Sequence, residues 1–176
     1  IKEKLCKRSY RVKLLPGTIN ACLAASLLKL IGLKKHNIFL DPMCRDGIFS
    51  IEASYITNKV YCFGIDTYAA RINAKIGKRK IRFGNYDLDW LTTKFDENSI
   101  DKIATFLPST SKKRKNIRNF YRKFFHNIEH VLKGKLAIVS HKEENLQDHT
   151  KLKLIEKREV MQGNAKHIVS IFEKKY

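Results

Sequence analysis

Phe39 to Glu52 reads Phe-Leu-Asp-Pro-Met-Cys-Arg-Asp-Gly-Ile-Phe-Ser-Ile-Glu, and this stretch constrains the fold more than any other. A short apolar run, Ile38-Phe39-Leu40, ends in an acid, Asp41. A turn containing Gly47 follows, and then Ile48, Ile51, Glu52, Tyr55 and Ile56 recur at helical spacing. Strand, acidic loop, glycine and helix is how a doubly wound α/β domain opens its first ligand crevice, at the carboxyl end of a strand. Glycine is scarce for such a loop, in which backbone N–H groups must approach a ligand closely. Arg45 and Asp46 stand beside the one glycine present.

The rest of the chain repeats the pattern. Pro16-Gly17-Thr18 breaks a basic, locally alternating lead-in whose Tyr10, Val12 and Leu14 are expected on one side. Thr18 or Asn20 can cap a helix carrying Ile19, Leu23, Leu27, Leu30 and Ile31, with Gly32 at its C-terminal end. Lys59 to Asp66 reads as a second strand ending in an acid, followed by a helix over Tyr68 to Ile76 with Ala69, Ile72 and Ile76 inward. Lys80 to Gly84 and Ser99 to Phe106 are the third and fourth strands. Ile117, Phe120, Tyr121, Phe124, Phe125, Ile128, Val131 and Leu132 mark a long amphipathic helix that Gly134 ends. Lys135 to Ser140 is a fifth strand, and Lys151 to Met161 with Lys166 to Lys174 forms a hairpin around Gln162-Gly163-Asn164. Single-domain organisation over 1–176 follows, with 1–36 as lead-in and first helix.

Charge narrows the partners. The 176 residues carry 36 Lys and Arg against 17 Asp and Glu, a net +19. Such an imbalance points to a polyanion, and to nucleic acid ahead of an acidic membrane, since no basic amphipathic helix shows an exposed apolar face. No apolar run approaches the ~20 residues of a membrane span. Cys6, Cys22, Cys44 and Cys62 form no Cys-x-x-Cys pair, which argues against zinc. Their spacing leaves disulfides open, but in a chain of this character they read as buried thiols in a reducing compartment, with a cytoplasmic location expected.

Several segments together resemble the methyltransferase domain of the THUMP-associated RNA (guanine-N2) methyltransferases. Leu5-Cys6-Lys7-Arg8-Ser9-Tyr10-Arg11 is similar to the family's Leu-His-Lys-Arg-Gly-Tyr-Arg lead-in, and Pro16 to Leu28 to its first helix. Asp41-Pro42-Met43-Cys44 matches the first half of its Asp-Pro-Met-Cys-Gly-Ser-Gly-Thr motif. Gly64-Ile65-Asp66 and Arg82-Phe83-Gly84-Asn85 match the next two motifs; Val131 to Gly134 and Arg158-Glu159-Val160 resemble its later segments. The resemblance implies a Rossmann-like class I methyltransferase fold, with a seven-stranded, mostly parallel sheet ending in an antiparallel hairpin. It also implies S-adenosylmethionine as cofactor, with Asp41, Met43, Cys44, Gly47, Asp66, Asn85 and Tyr86 as binding residues. Asp66 would take the ribose hydroxyls and Asn85 the adenine amino group. On the residues alone, an acid ending the second strand favours the ribose role, with capping of the following helix as the alternative. The family's THUMP domain has no counterpart in the chain, so RNA capture would fall to this domain, a partner or a further segment.

The chain departs from that pattern twice. Arg45, Asp46 and Ile48 replace Gly, Ser and Thr in the first motif. Phe106-Leu107-Pro108-Ser109 stands where the family carries Asn/Asp-Pro-Pro-Tyr/Phe, the catalytic segment. Phe106 offers no acceptor for a target amino group, and Ser109 offers no ring to stack on a base. The implied activity is RNA methylation, on a guanine N2 of tRNA; the alternative is a catalytically silent relative that binds RNA or a protein partner.

Two further patterns each admit two readings. Lys112, Lys113, Arg114, Lys115 and Arg118 form a basic run beside the catalytic segment, readable as a phosphate-contacting surface or as a solvated face. His126-Asn127-Ile128-Glu129-His130 fits a His-x-x-Glu-His zinc pattern. Its place on the amphipathic helix, with Ile128 in the apolar stripe, favours coincidence on a polar face, and no metal is expected.

Overall fold

A computed structural model describes residues 7–107, 114–141 and 145–175, without the side chains of 114–116. Its elements in chain order are α1 (Ala21–Leu30), β1 (Phe39–Asp41), α2 (Ile48–Ala53), β2 (Val60–Gly64), α3 (Tyr68–Ile76) and β3 (Arg82–Asn85). A 3-10 turn (Leu88–Trp90) then leads into α4 (Leu91–Lys94), β4 (Ile100–Phe106), α5 (Arg114–Val131) and β5 (Leu132–Ser140). A second 3-10 turn (Leu146–His149) precedes β6 (Lys153–Gln162) and β7 (Ala165–Glu173). The seven strands form one sheet in the order β3-β2-β1-β4-β5-β7-β6. The first five run parallel, and β7 is antiparallel to both β5 and β6. This is the Rossmann-like class I methyltransferase fold that the sequence led us to expect. Strand order reverses between β1 and β4, so a crevice opens at their carboxyl ends.

The central strands are apolar on both faces because helices cover both. Ala104, Phe106, Ala137 and Val139 face the layer containing Leu27, Leu28, Phe49 and Ile51. Ile103, Leu136 and Ile138 alternate toward Tyr121, Phe124, Phe125 and Ile128 of α5. The core stripe of α5 is thus the predicted one. Asn20 caps α1, its side chain accepting from the Leu23 N–H at 2.8 Å. Gly32, at φ 68, completes the other end: its N–H donates to Lys29 and the Leu33 N–H to Leu28.

Four expectations are corrected. Gly134 does not end a helix, since α5 passes directly into β5 at Leu132. A Cβ at 134 would lie 2.6 Å from the Asp101 carbonyl, so the glycine is there for close approach to β4. The inner face of α3 is Ala69, Ala70, Asn73 and Ala74, while Ile76 is 51% exposed. Tyr10 is buried but Val12 and Leu14 lie open, because this lead-in is held by polar contacts rather than by an apolar stripe. Cys44 and Cys62 are joined in a disulfide instead of standing as thiols. The Cys44 N–H bonds to the Phe63 carbonyl, which draws the loop after β1 onto β2.

That lead-in forms a strap across the crevice. Glu52, buried in α2, accepts from Tyr10 Oη at 2.6 Å and from Arg8 Nε at 2.9 Å. Asn73 uses its amide fully: Oδ1 accepts from the N–H groups of Val12 and Lys13, and Nδ2 donates to the carbonyls of Lys13 and Asp46. Gln162 at the end of β6 takes the Asn20 N–H and donates to the Thr18 carbonyl. Replacing Glu52 with Ala strands a buried phenol and a partly buried cation, and we expect a loss of about 3 kcal/mol in urea denaturation. Tyr10→Phe, which leaves the Arg8–Glu52 pair in place, should lose about 1 kcal/mol in the same measurement.

Candidate active site

The carboxyl ends of β1, β2 and β3 bring the predicted polar residues to one rim. Asp41, at the end of β1, is buried, and its Oδ1 accepts from Thr105 Oγ1 at 2.9 Å and from the Met43 N–H at 3.3 Å. Burial raises its pKa from 3.8 to about 7, against the two hydrogen bonds, which favour the anion, and with a smaller push from Asp46. Asp66 is exposed, and its Oδ1 accepts from the Tyr68 N–H at 2.8 Å. The helix-capping reading of Asp66 is therefore realised in the hydrogen bonding. Its second oxygen makes no hydrogen bond to a described residue and stays available to a ligand. Asn85 is exposed, its Oδ1 taken by the Thr67 hydroxyl. The half-buried Tyr86 packs its ring edgewise on Phe63, with centroids 5.2 Å apart.

The loop between β1 and α2 is held by charge. Gly47 sits at φ +82, and a Cβ there would lie 2.9 Å from that of Ala70, so it is required at the start of α2. Asp46 pairs with Arg11 of the strap at 2.8 Å; both side chains are largely buried, and Arg11 also reaches the Thr18 hydroxyl. Arg45 turns the other way. Its Nη2 donates to the Pro16 carbonyl at 2.6 Å, and its guanidinium carbon lies 5.8 Å from the Phe106 ring centre. The cleft lined by Thr18, Asp41, Met43, Arg45 and Phe106 encloses about 250 Å³, much of it open to solvent. It has room for about one water molecule.

At the ends of β4, β5 and β7 the rim is aromatic. Phe106 and Leu107 are buried, and the Leu107 N–H bonds to the Val139 carbonyl. Pro108 and Ser109 lie outside the described residues, as do Lys112 and Lys113; Arg114 and Lys115 begin α5, and Arg118 is exposed on it. His141 and His167, which the sequence reading missed, stand with ring centres 4.8 and 5.8 Å from that of Phe106. Burial lowers the pKa of both; Arg45 adds to the effect at His141, and His141 adds to it at His167. Trp90 was missed as well: half exposed, it lies beside Tyr86 with the Lys94 ammonium over both rings.

The zinc-like pattern has another use. Glu129 accepts from the Thr150 hydroxyl and the Lys151 N–H and so docks the start of β6. Among the described residues, no group of three or more His, Cys, Asp or Glu could hold a metal.

The model of the UPF0020 family, described as an RMKL-like methyltransferase domain, matches residues 8–171. The chain belongs to that family. A tRNA (guanine(6)-N2)-methyltransferase of Methanocaldococcus jannaschii is 39% identical over 56 residues, which is 32% of this chain and 15% of that enzyme. The structure of TrmN from Thermus thermophilus superposes with a TM-score of 0.78 at 23% identity, over 91% of this chain and 50% of that one. A possible methylase from Clostridium difficile 630 gives 0.78 at 21%, over 97% and 56%. The chain thus spans about half the length of these solved structures.

For an S-adenosyl cofactor, the free Asp66 oxygen and exposed Asn85 amide fit an adenosine half. Arg45, bonded to the Pro16 and Gly17 carbonyls, lines the cleft beside Asp41 and Met43. The buried Asp41 gives the site a measurable pH signature. Its folded-state pKa lies above the unfolded value, so its contribution to stability is fully present below about pH 3.8 and is lost as pH rises toward about 7. Asp41→Asn keeps an Oδ1 for Thr105 and Met43 but does not titrate. Between those limits wild type should lose stability relative to the variant by up to about 1.4 kcal/mol per pH unit in paired denaturation curves.

Proposed function

We propose that this chain is an S-adenosylmethionine-dependent RNA methyltransferase domain acting on a guanine N2 of tRNA. The observation that carries this reading is the convergence of Asp41, Asp66 and Asn85 at the ends of three adjacent parallel strands beside the switch point. An adenosine laid across these strand ends has a carboxylate for its ribose hydroxyls and an amide for its base. The fold, the family and the short match to a tRNA guanine-N2 enzyme support the same chemistry. The protein's task in such a transfer is to bind and orient both reactants and keep water out, while the bound cofactor supplies an electrophilic methyl. A net charge of +19 supports RNA as the methyl acceptor. Arg118 and Arg122, exposed on α5, extend the basic run that starts at Lys112. Lys123 is less available, since it pairs with Asp89.

A second reading rests on a specific observation. Arg45 lies between the strap carbonyls and the Phe106 ring, and Phe106 puts a hydrocarbon where a transfer site needs an acceptor. Those features suit a silent relative that binds RNA or a partner subunit.

Calorimetric titration separates the two. We expect S-adenosylmethionine to bind, Asp66→Ala to weaken it about tenfold, and bulk tRNA to gain N2-methylguanine. Absence of binding at millimolar cofactor would leave only the second reading. For RNA, replacing Lys112, Lys113 and Arg114 together by Ala should flatten the plot of log affinity against log salt by a slope of about 2–3. An unchanged slope removes that run from the interface.

A further inference from the structure

Residues 67–86 run through α3, its closing turn and β3, which is one edge of the sheet. They hold six cations, Arg71, Lys75, Lys78, Arg79, Lys80 and Arg82, while all 17 Asp and Glu of the chain lie elsewhere. Arg79 is half-buried and the other five are exposed. The three arginines stand over rings instead of beside carboxylates. Arg79 lies 4.3 Å from the Tyr55 ring centre, its Nε donating to Ser54 Oγ at 2.9 Å and its Nη2 to the Ser54 carbonyl. Arg71 lies 4.9 Å from the Phe83 centre with its Nε on Thr67 Oγ1, and Arg82 lies 5.1 Å from that of Tyr61. None of the six forms an ion pair with a described residue, whereas Arg8 and Arg11 of the strap pair with Glu52 and Asp46. Asp96 and Glu97 follow Phe95, which packs on Tyr61, and neither pairs with Arg82.

A helix C-terminus attracts cations, but that effect fades within one turn. It accounts for Lys75 and Lys78. It does not account for Arg71, nearer the positive end of α3, or for Lys80 and Arg82 beyond the turn. Nor does the backbone ask for lysine at 78, where φ is 52 and glycine or asparagine is the usual choice.

We propose that this edge, from the outer stripe of α3 round to β3, is a docking surface for the phosphate backbone of RNA outside the target nucleotide. The proposal rests on the RNA reading above and requires no methyl transfer. A guanidinium held over a ring keeps donors for phosphate oxygens while less side-chain freedom is lost on binding. Charges strung along a helix and an edge strand suit a polyanion whose phosphates repeat, and such contacts position a strand without reading its bases. A lipid surface fits less well: Tyr68 and Ile76, the exposed apolar side chains of α3, stand at its opposite ends and make no continuous face to insert. The surface is also separate from the basic run that starts at Lys112, since it lies on another helix and on the sheet edge.

The test replaces Lys75 and Lys80 with Gln and Lys78 with Asn, a residue that tolerates the left-handed backbone there. All three side chains are exposed, so the urea midpoint should not move. Binding of bulk tRNA without cofactor, followed by fluorescence anisotropy over a salt series, should lose a slope of about 2–3 in log affinity against log salt. A charge-matched control, with Lys151, Lys153 and Lys157 changed to Gln at the β6 edge, should keep the wild-type slope. In methylation, the first triple variant should raise KM for tRNA about tenfold and leave kcat unchanged, as expected of contacts made equally before and during transfer. An unchanged slope in that variant, or an equal fall in the control, overturns the proposal and leaves the RNA reading intact. A wild type that pellets with phosphatidylserine vesicles but binds no tRNA overturns both. The expected loss of slope in a chain that binds no S-adenosylmethionine would sink the methyltransferase reading and keep this surface.

Discussion

The crevice depends on the ion pair between Arg11 and Asp46. Asp46 is almost wholly buried, and an isolated carboxylate there would cost several kcal/mol. Arg11 is the partner that makes the residue tolerable, and it belongs to the strap rather than to the sheet. Holding Asp46 fixes the start of α2, and with it Gly47 against Ala70. Asn73 then ties the Asp46 carbonyl to the strap backbone at Lys13. Strap, loop and two helices are thereby one polar network laid over an apolar core.

This network accounts for the glycine-poor loop. A loop built on several glycines uses backbone N–H groups and open space; this one is held by charged side chains. Arg45 and Asp46 are adjacent in sequence but do not pair with each other. One reaches out to Pro16 and the other inward to Arg11, so the strap is pinned at both ends of the dipeptide. The space above the loop holds about one water.

Much of the architecture was legible because it is carried by local periodicity. The α5 stripe, the bounds of α3 and the hairpin around Gly163 follow from spacing alone. The errors share one physical cause: each involved a contact between residues distant in the chain. Gly134 looked like a helix stop because its reason is the Asp101 carbonyl on the neighbouring strand. Ile76 looked buried because nothing local shows that Asn73 must turn inward to hold the strap. The Cys44–Cys62 bond follows from the loop lying on β2. The placement of Asp41, Asp66 and Asn85 on one rim was readable because each lies at or just past the end of a strand. His141 and His167 were not, since they meet only through the register of β5 with β7.

The chemical split of the rim follows from the same topology. Ends of β1, β2 and β3 are free to carry polar side chains because each strand leaves the sheet into a loop and helix. The end of β4 also leads toward a helix, but it lies in mid-sheet between β1 and the longer β5. A side chain at 106 is therefore covered by neighbours, and a ring there is buried without loss. An acceptor at that position would need its own hydrogen-bond partners in an apolar setting. A hydrocarbon at 106 asks for no such partners, and Phe106 completes the core there instead.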